Sequence, residues 1–406
     1  MILLLLKCLS TCFGWKIPAV FLYFSTRMIL AALTTLFFVI LLGPYVIKKL
    51  YELKTGQSIR VEDCPLLAEL HQKKKDTPSM GGILILFSML VSLLFWMDLT
   101  SSFTLILFFA TLWLGLIGAY DDYLKMKFKN SKGLKGKKKL ALQVAFSILF
   151  GLYLLWPSFT ETLSSKKVFS PPEAKQFISS TETSSKAQEV HLTTQEYAVQ
   201  YYVPFYKDPV FVLKGGFVIL SLFIIVFVVT GSSNAVNLTD GLDGLAAGCL
   251  IMTSFVLAII AFLSNHMEMA HYLNILYIEG SGEIGIYLFA LVGACLGFLW
   301  YNGYPAQVFM GDTGSIALGG ILGVSAVLLR REVLLALAGG IFVAEAVSVI
   351  LQVASYKWRN KKRIFLCSPL HHHFEFKGWP ETKVVMRFWI ISLILAMIAV
   401  ASLKFQ

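Results

Sequence analysis

The 406-residue sequence predicts an all-α fold, a polytopic integral membrane protein with about ten transmembrane helices in a single domain, 1–406. Three observations lead there. The chain is 57% hydrophobic and only 15% charged, with a mean hydropathy of +0.71, too little polar surface to clothe a water-soluble globule. Apolar runs near the roughly 20 residues that a spanning helix needs recur along the whole length. The acidic and histidine clusters sit at the ends of those runs.

Residues 1–26 open with Leu3 to Leu6 and then Lys7, too short to span and without a small-residue cleavage site, so they read as an interfacial segment. Spans are then expected at 27–47, 80–98, 101–120, 140–157, 215–233, 245–263, 284–301, 314–329, 333–354 and 385–403. Gly215-Gly216, Gly319-Gly320 and Gly339-Gly340 interrupt three of them, which suits close helix packing in lipid and equally suits simple backbone freedom. Between the fourth and fifth spans, 158–213 is polar through Ser185 and then leans towards β structure from Tyr197 to Phe205, predicting an insertion with a flexible loop and a hairpin. The six cysteines show no zinc spacing and read as free thiols.

Orientation follows from lysine and arginine, which concentrate in short cytoplasmic loops. Lys48, Lys49, Lys54, Arg60 and Lys73 to Lys75 follow the first span, Lys125 to Lys139 the third, and Lys357 to Arg363 the ninth. These connectors share one side, which places both termini and 158–213 outside. Arg330-Arg331 falls outside too and opposes the rule, but is outnumbered. The polar clusters then all face the cytoplasm, where an active site is expected. The net charge of +11 reads as a topology signal plus attraction to anionic headgroups or an anionic substrate, with no nucleic acid as partner.

Four clusters carry the chemistry. Adjacent carboxylates such as Asp121-Asp122 repel unless a cation or proton lies between them, so the pair suits Mg²⁺ or a base, or stands as a solvated helix end. Lys125 lies one helical turn from Asp121. Asn237, Asp240 and Asp243 recur at every third residue and share a helical face, while Gly241 and Gly244 let the backbone approach a ligand. Such an oxygen-rich face suits a hard cation, ribose hydroxyls or helix capping. Asp312, beside Gly311 at a helix start, is placed to ligate a metal, and Phe309 offers a ring for stacking a base or for packing. His371, His372 and His373 cannot all converge on one point of a helix, so one or two can meet a shared ligand such as a diphosphate. Glu345, inside the ninth span, reads first as a hydrogen bonder to a neighbouring helix. A transporter could also gather acidic groups in a helical bundle, but its site would tend towards the bilayer midplane rather than the boundary.

Thr77-Pro78-Ser79-Met80-Gly81-Gly82, Asp121-Asp122, the Asn237 to Gly244 run, Pro305 to Asp312 and Pro369 to Glu375 together resemble the phospho-N-acetylmuramoyl-pentapeptide transferase family, from about residue 27 to the C-terminus. It belongs to the polyprenyl-phosphate N-acetylhexosamine-1-phosphate transferase superfamily, and the histidine triplet followed by Phe-Glu and Lys-Gly-Trp-Pro is similar to this branch. The resemblance implies a bacterial inner-membrane enzyme with periplasmic termini. Its Mg²⁺-dependent reaction would move phospho-MurNAc-pentapeptide from UDP-MurNAc-pentapeptide to undecaprenyl phosphate, giving lipid I and UMP for peptidoglycan. It further implies Asp312 as the metal ligand and Asp121 as the group that deprotonates or positions the lipid phosphate, supported by Asp122. Substrate contacts would come from Lys74, Ser79, Lys125, Lys139, Asn237, Asp240, Gly241, Leu242, Asp243, Asn302, Phe309 and His371 to His373. A homodimer is an analogy with the family only. Asp76 and Ser79 stand where the family pattern usually has glycine and threonine, and 158–213 is longer than the pattern leads one to expect.

Overall fold

Lipid offers no partner to a backbone N–H or C=O, so a chain this apolar must satisfy its backbone within helices. The computed structural model describes residues 10–13, 18–53, 77–128, 133–156, 172–178 and 188–404. Lys74, Asp76 and the basic residues from Lys54 to Lys75 lie outside the described residues, as does half of the expected interfacial segment.

The helices are α1 (Phe24–Glu52), α2 (Gly82–Trp96), α3 (Ser102–Phe128) and α4 (Gly136–Leu155), then, after the insertion, α6 (Val218–Thr239) and α7 (Leu245–Ser264). They continue with short α8 (Met267–Tyr272), α9 (Gly282–Asn302), α10 (Gly311–Leu328), α11 (Glu332–Ala338), α12 (Gly340–Trp358), α13 (Leu370–Phe376) and α14 (Glu381–Ala401). Nine helices among the described residues are long and apolar enough to cross a membrane. The second expected span is the exception: α2 has 15 residues, because Met97 turns to extended backbone. The ninth is divided at Gly339, which ends α11 and begins α12.

α10 forms the centre of the bundle, buried along nearly its whole length between α3 and α6. Its small residues let the neighbours approach: a Cβ on Gly319 would lie 2.9 Å from Ser233 Cα, and one on Gly323 the same distance from Val229 Cα. α9 is clasped between α1 and α7. Arg27 of α1 and Glu283 of α9 form a buried ion pair of 2.8 Å, and Glu283 also accepts the Asp98 N–H at 3.0 Å.

The described residues of the insertion form strands and a short helix. Strands β1 (Ala174–Ile178) and β2 (Gln188–Leu192) pair antiparallel, and β1 also pairs with β5 (Tyr277–Ile278). Helix α5 (Thr194–Ala198), closed by a capping box at Thr193 and Glu196, leads to the hairpin of β3 (Gln200–Tyr201) and β4 (Phe211–Val212). The arginines after α10 clamp this hairpin. Arg330 lies 4.8 Å over the Tyr201 ring, Arg331 lies 5.2 Å over Tyr202, and Arg330 donates to the Gln200 carbonyl at 3.2 Å. Their position is therefore set by packing on this hairpin. Among the described residues Cys12, Cys249, Cys295 and Cys367 form no disulfide, in keeping with the thiols expected.

Candidate active site

α3 runs eight residues past its expected end, which keeps Asp121 and Asp122 on a helix rather than in a loop. Gly118 brings that helix against the first turn of α10, where a Cβ would collide with the Asp312 carbonyl. Asp122 then spends its carboxylate on the start of α10. It accepts from the Asp312 N–H at 3.3 Å, the Thr313 N–H at 2.9 Å and the Thr313 hydroxyl at 2.7 Å, satisfying donors that an isolated helix leaves open. Gly311, with φ +73°, makes the turn into α10 beside Ser79: a Cβ there would lie 2.7 Å from Ser79 Oγ and 2.8 Å from Asp122 Oδ2. The chain at 78–82, leading into α2, seals the other side, with Phe309 N–H donating to Pro78 and the Gly81 and Gly82 N–H groups donating to Phe309 and Met310, all at 2.8 Å.

Asp121, Asp122 and Asp312 thus bring one carboxylate oxygen each to within 4.8 Å of one another. Two lysines face them. Lys125 Nζ lies 2.7 Å from both Asp121 Oδ2 and Asp312 Oδ2, and Lys139 Nζ lies 2.6 Å from Asp312 Oδ2. Asp121 Oδ1 takes the Leu134 N–H at 2.6 Å. Asn237, in the last turn of α6, donates to Asp312 Oδ1 at 2.7 Å and to Ser315 Oγ at 2.8 Å. One turn beyond Lys139, buried Gln143 donates to Ser233 at 3.0 Å and accepts from Asn234 at 2.8 Å, tying α4 to α6 and so placing Lys139. Three carboxylates form an all-oxygen donor set that fits a hard cation such as Mg²⁺, and the ammonium groups beside them supply charge that anionic substrate oxygens would need.

Asp240, just beyond α6, faces the same cluster: burial, then the Asp312 and Asp122 charges, push its carboxyl up to about 7. Asp243 accepts the Ala306 N–H at 2.9 Å, and its own N–H donates to Glu381 at the start of α14 at 2.8 Å. Leu242 is buried beneath the loop. Asn302 ties two loops together, accepting the Gly244 N–H at 3.0 Å and donating to the Val308 carbonyl at 2.8 Å. Asn302→Ala removes both bonds and strands a buried N–H, so a stability loss of about 2 kcal/mol is expected. Thermal unfolding in detergent checks this, and an unchanged melting temperature would contradict the tie.

The histidines diverge, as three successive helical positions must. His371 is fully buried, with Nδ1 3.1 Å from Glu345 Oε1 and its far edge against Gly241. His372 pairs with Glu375 at 2.8 Å, and His373 accepts the Leu366 N–H at 3.1 Å. Burial and then Lys377 lower the His373 imidazole below its usual range. The Phe309 ring is half-buried. Glu381 and Gln143 are site supports that the sequence did not single out. Glu381 carried one signal, an acidic residue opening a helix after Pro380.

Comparison with known proteins agrees with this geometry. The family model for glycosyl transferase family 4 matches residues 104–330, and phospho-N-acetylmuramoyl-pentapeptide-transferase signature 1 matches 74–86. The chain is 63% identical over 410 residues to the phospho-N-acetylmuramoyl-pentapeptide-transferase of Protochlamydia amoebophila (strain UWE25), covering 100% of each. The proteins of the same name from Desulfotalea psychrophila (strain LSv54 / DSM 12343) and Thermodesulfovibrio yellowstonii (strain ATCC 51303 / DSM 11347 / YP87) are 44% and 45% identical, over 95% of each chain. The helical bundle, the carboxylate cluster between α3 and α10, and these likenesses along the whole chain establish that it belongs to the phospho-N-acetylmuramoyl-pentapeptide-transferase family.

Proposed function

We propose that this chain transfers phospho-MurNAc-pentapeptide from UDP-MurNAc-pentapeptide to undecaprenyl phosphate, forming lipid I and releasing UMP, at the cytoplasmic face of a bacterial inner membrane. The observation that carries this reading is the convergence of Asp121, Asp122 and Asp312 with Lys125 and Lys139, brought from chain positions up to 191 residues apart to one end of the bundle. Joining two phosphates requires screening of two anions more than covalent help from the protein. Mg²⁺ held by Asp312, with Asp121 beside it, would supply part of that screening and polarise the diphosphate.

The protein's own groups account for the remaining work. Lys125 and Lys139, held by carboxylates in the structure, are within reach of phosphate oxygens entering the cluster. Asp122 is committed to the α10 backbone and acts by fixing Asp312. Asp121, held through Oδ1 by the Leu134 N–H, keeps Oδ2 for the incoming lipid phosphate, whose proton or position it controls. Asn237, Asp240 and the loop through Asp243 would receive the nucleotide, with Phe309 and Ser79 at its rim. Lys74 is proposed as a substrate contact on the resemblance alone, and the homodimer on analogy.

Two measurements check this. Purified protein is expected to release UMP from UDP-MurNAc-pentapeptide only when Mg²⁺ and undecaprenyl phosphate are both present. Attack is expected to be direct, because a diphosphate polarised by a divalent cation would already be activated. Incubation with the UDP-linked substrate alone should give no acid-stable, hydroxylamine-sensitive phospho-aspartate; trapping one would replace this mechanism with a two-step one.

A further inference from the structure

Glu345 is a fully buried carboxylate on α12, away from the aspartate cluster, and the reaction as derived makes no use of it. Both of its oxygens are directed at the start of the histidine helix. Oε2 accepts the Leu370 N–H at 2.6 Å, and Oε1 accepts the His371 N–H at 3.2 Å while lying 3.1 Å from His371 Nδ1. A carboxylate in that position serves the backbone and the ring of the same residue. It anchors the His371 backbone and sets a carboxylate 3.1 Å from Nδ1, leaving Nε2 as the atom turned to the other side.

That other side is the loop after α6. A Cβ on Gly241 would collide with His371 Nε2, so the ring edge rests directly on this backbone. Nε2 is buried and, like Nδ1, makes no hydrogen bond among the described residues. A buried polar atom in that condition is costly unless a ligand or water completes it. A chain of contacts thus runs from Glu345 through His371 to the Asp240–Asp243 loop. His372 packs edge-on against the His371 ring at 4.2 Å while pairing with Glu375, and His373 turns to the Leu366 N–H.

We propose that Glu345 is a positioning residue that holds His371 with Nε2 presented to the UDP-linked substrate at the Gly241 loop. This rests on the reading that the loop receives that substrate. Because His371 meets the loop and not the three carboxylates, its contact falls on a part of the substrate remote from the reacting phosphates. The effect should therefore appear in KM more than in kcat.

The test compares full-length wild type, Glu345→Gln, His371→Ala and the double variant in detergent with undecaprenyl phosphate, each checked for folding by its melting temperature. Glu345→Gln is expected to raise KM for UDP-MurNAc-pentapeptide about 10-fold, the equivalent of one well-placed hydrogen bond. Its kcat should stay within about 3-fold, since the reacting groups are untouched. In the double variant KM should be no higher than in His371→Ala alone, because a positioning residue has nothing left to position. Glu345→Asp, which keeps the charge but withdraws it by one methylene, should lie between wild type and Glu345→Gln, and it carries the test if the glutamine variant does not fold. Losses that multiply in the double variant would overturn the positioning role while leaving the histidine contact standing. A His371→Ala enzyme with unchanged KM would overturn the histidine contact itself, and with it the inference.

Discussion

Asp312→Asn is expected to lower kcat by on the order of 10³-fold or more, the scale seen when one preorganised electrostatic group is removed from a reacting centre. The substitution preserves shape, so the protein should still accumulate in the membrane. What it removes is the charge on which the cluster is organised. Asp312 meets both lysines, at 2.7 and 2.6 Å, approaching Lys139 more closely than Asp121 does, and also takes the Asn237 amide at 2.7 Å. An amide there would turn either its NH₂ or a weaker acceptor towards two ammonium groups, and would not hold a divalent ion beside Asp121. UMP release per mole of membrane-extracted protein measures the effect. Activity within about 10-fold of wild type would contradict the assignment, since that would be less than the contribution of one such electrostatic group.

Gly118→Ala should be nearly as damaging without touching a charged group. The added methyl would collide with the Asp312 carbonyl and stand 2.6 Å from both the Asp312 carbonyl carbon and Thr313 Cα, all of them backbone. Backbone in a buried helix cannot swing aside as a side chain can, so α3 and α10 must separate. Overpacking of this kind costs about 1–3 kcal/mol, and a displacement of about 1 Å at a reacting centre can cost 10²-fold in rate. A melting temperature lowered by several degrees with activity down about 100-fold is therefore expected. Gly136→Ala is the control: its Cβ would meet nothing within 4 Å, and neither quantity should fall.

The sequence displayed the membrane class and most of the span positions, because hydropathy is a property of each segment alone. It also displayed the polar clusters. It concealed what tertiary packing decides. The helix α2 is shorter than its apolar run because the chain extends at Met97. The ninth run breaks at Gly339, where glycine permits a kink without requiring one. Asp122 looked equivalent to Asp121, yet only a view of both helices shows it serving the α10 backbone. Asn302 read as a nucleotide contact, whereas its side chain joins Gly244 to Val308. Arg330-Arg331 entered the orientation argument as charge alone, since the sequence does not show Tyr201 and Tyr202 stacked beneath them. Glu345 was expected to bond to a neighbouring helix, and it does, but the helix is the short one carrying His371.

The central claim is that α3 and α10 build a single divalent-ion site, and Mn²⁺ binding followed by electron paramagnetic resonance on the purified protein tests it without recourse to turnover. One ion per chain is predicted for the wild type, with that binding lost in both Asp121→Asn and Asp312→Asn. Unchanged stoichiometry and affinity in either variant would contradict it.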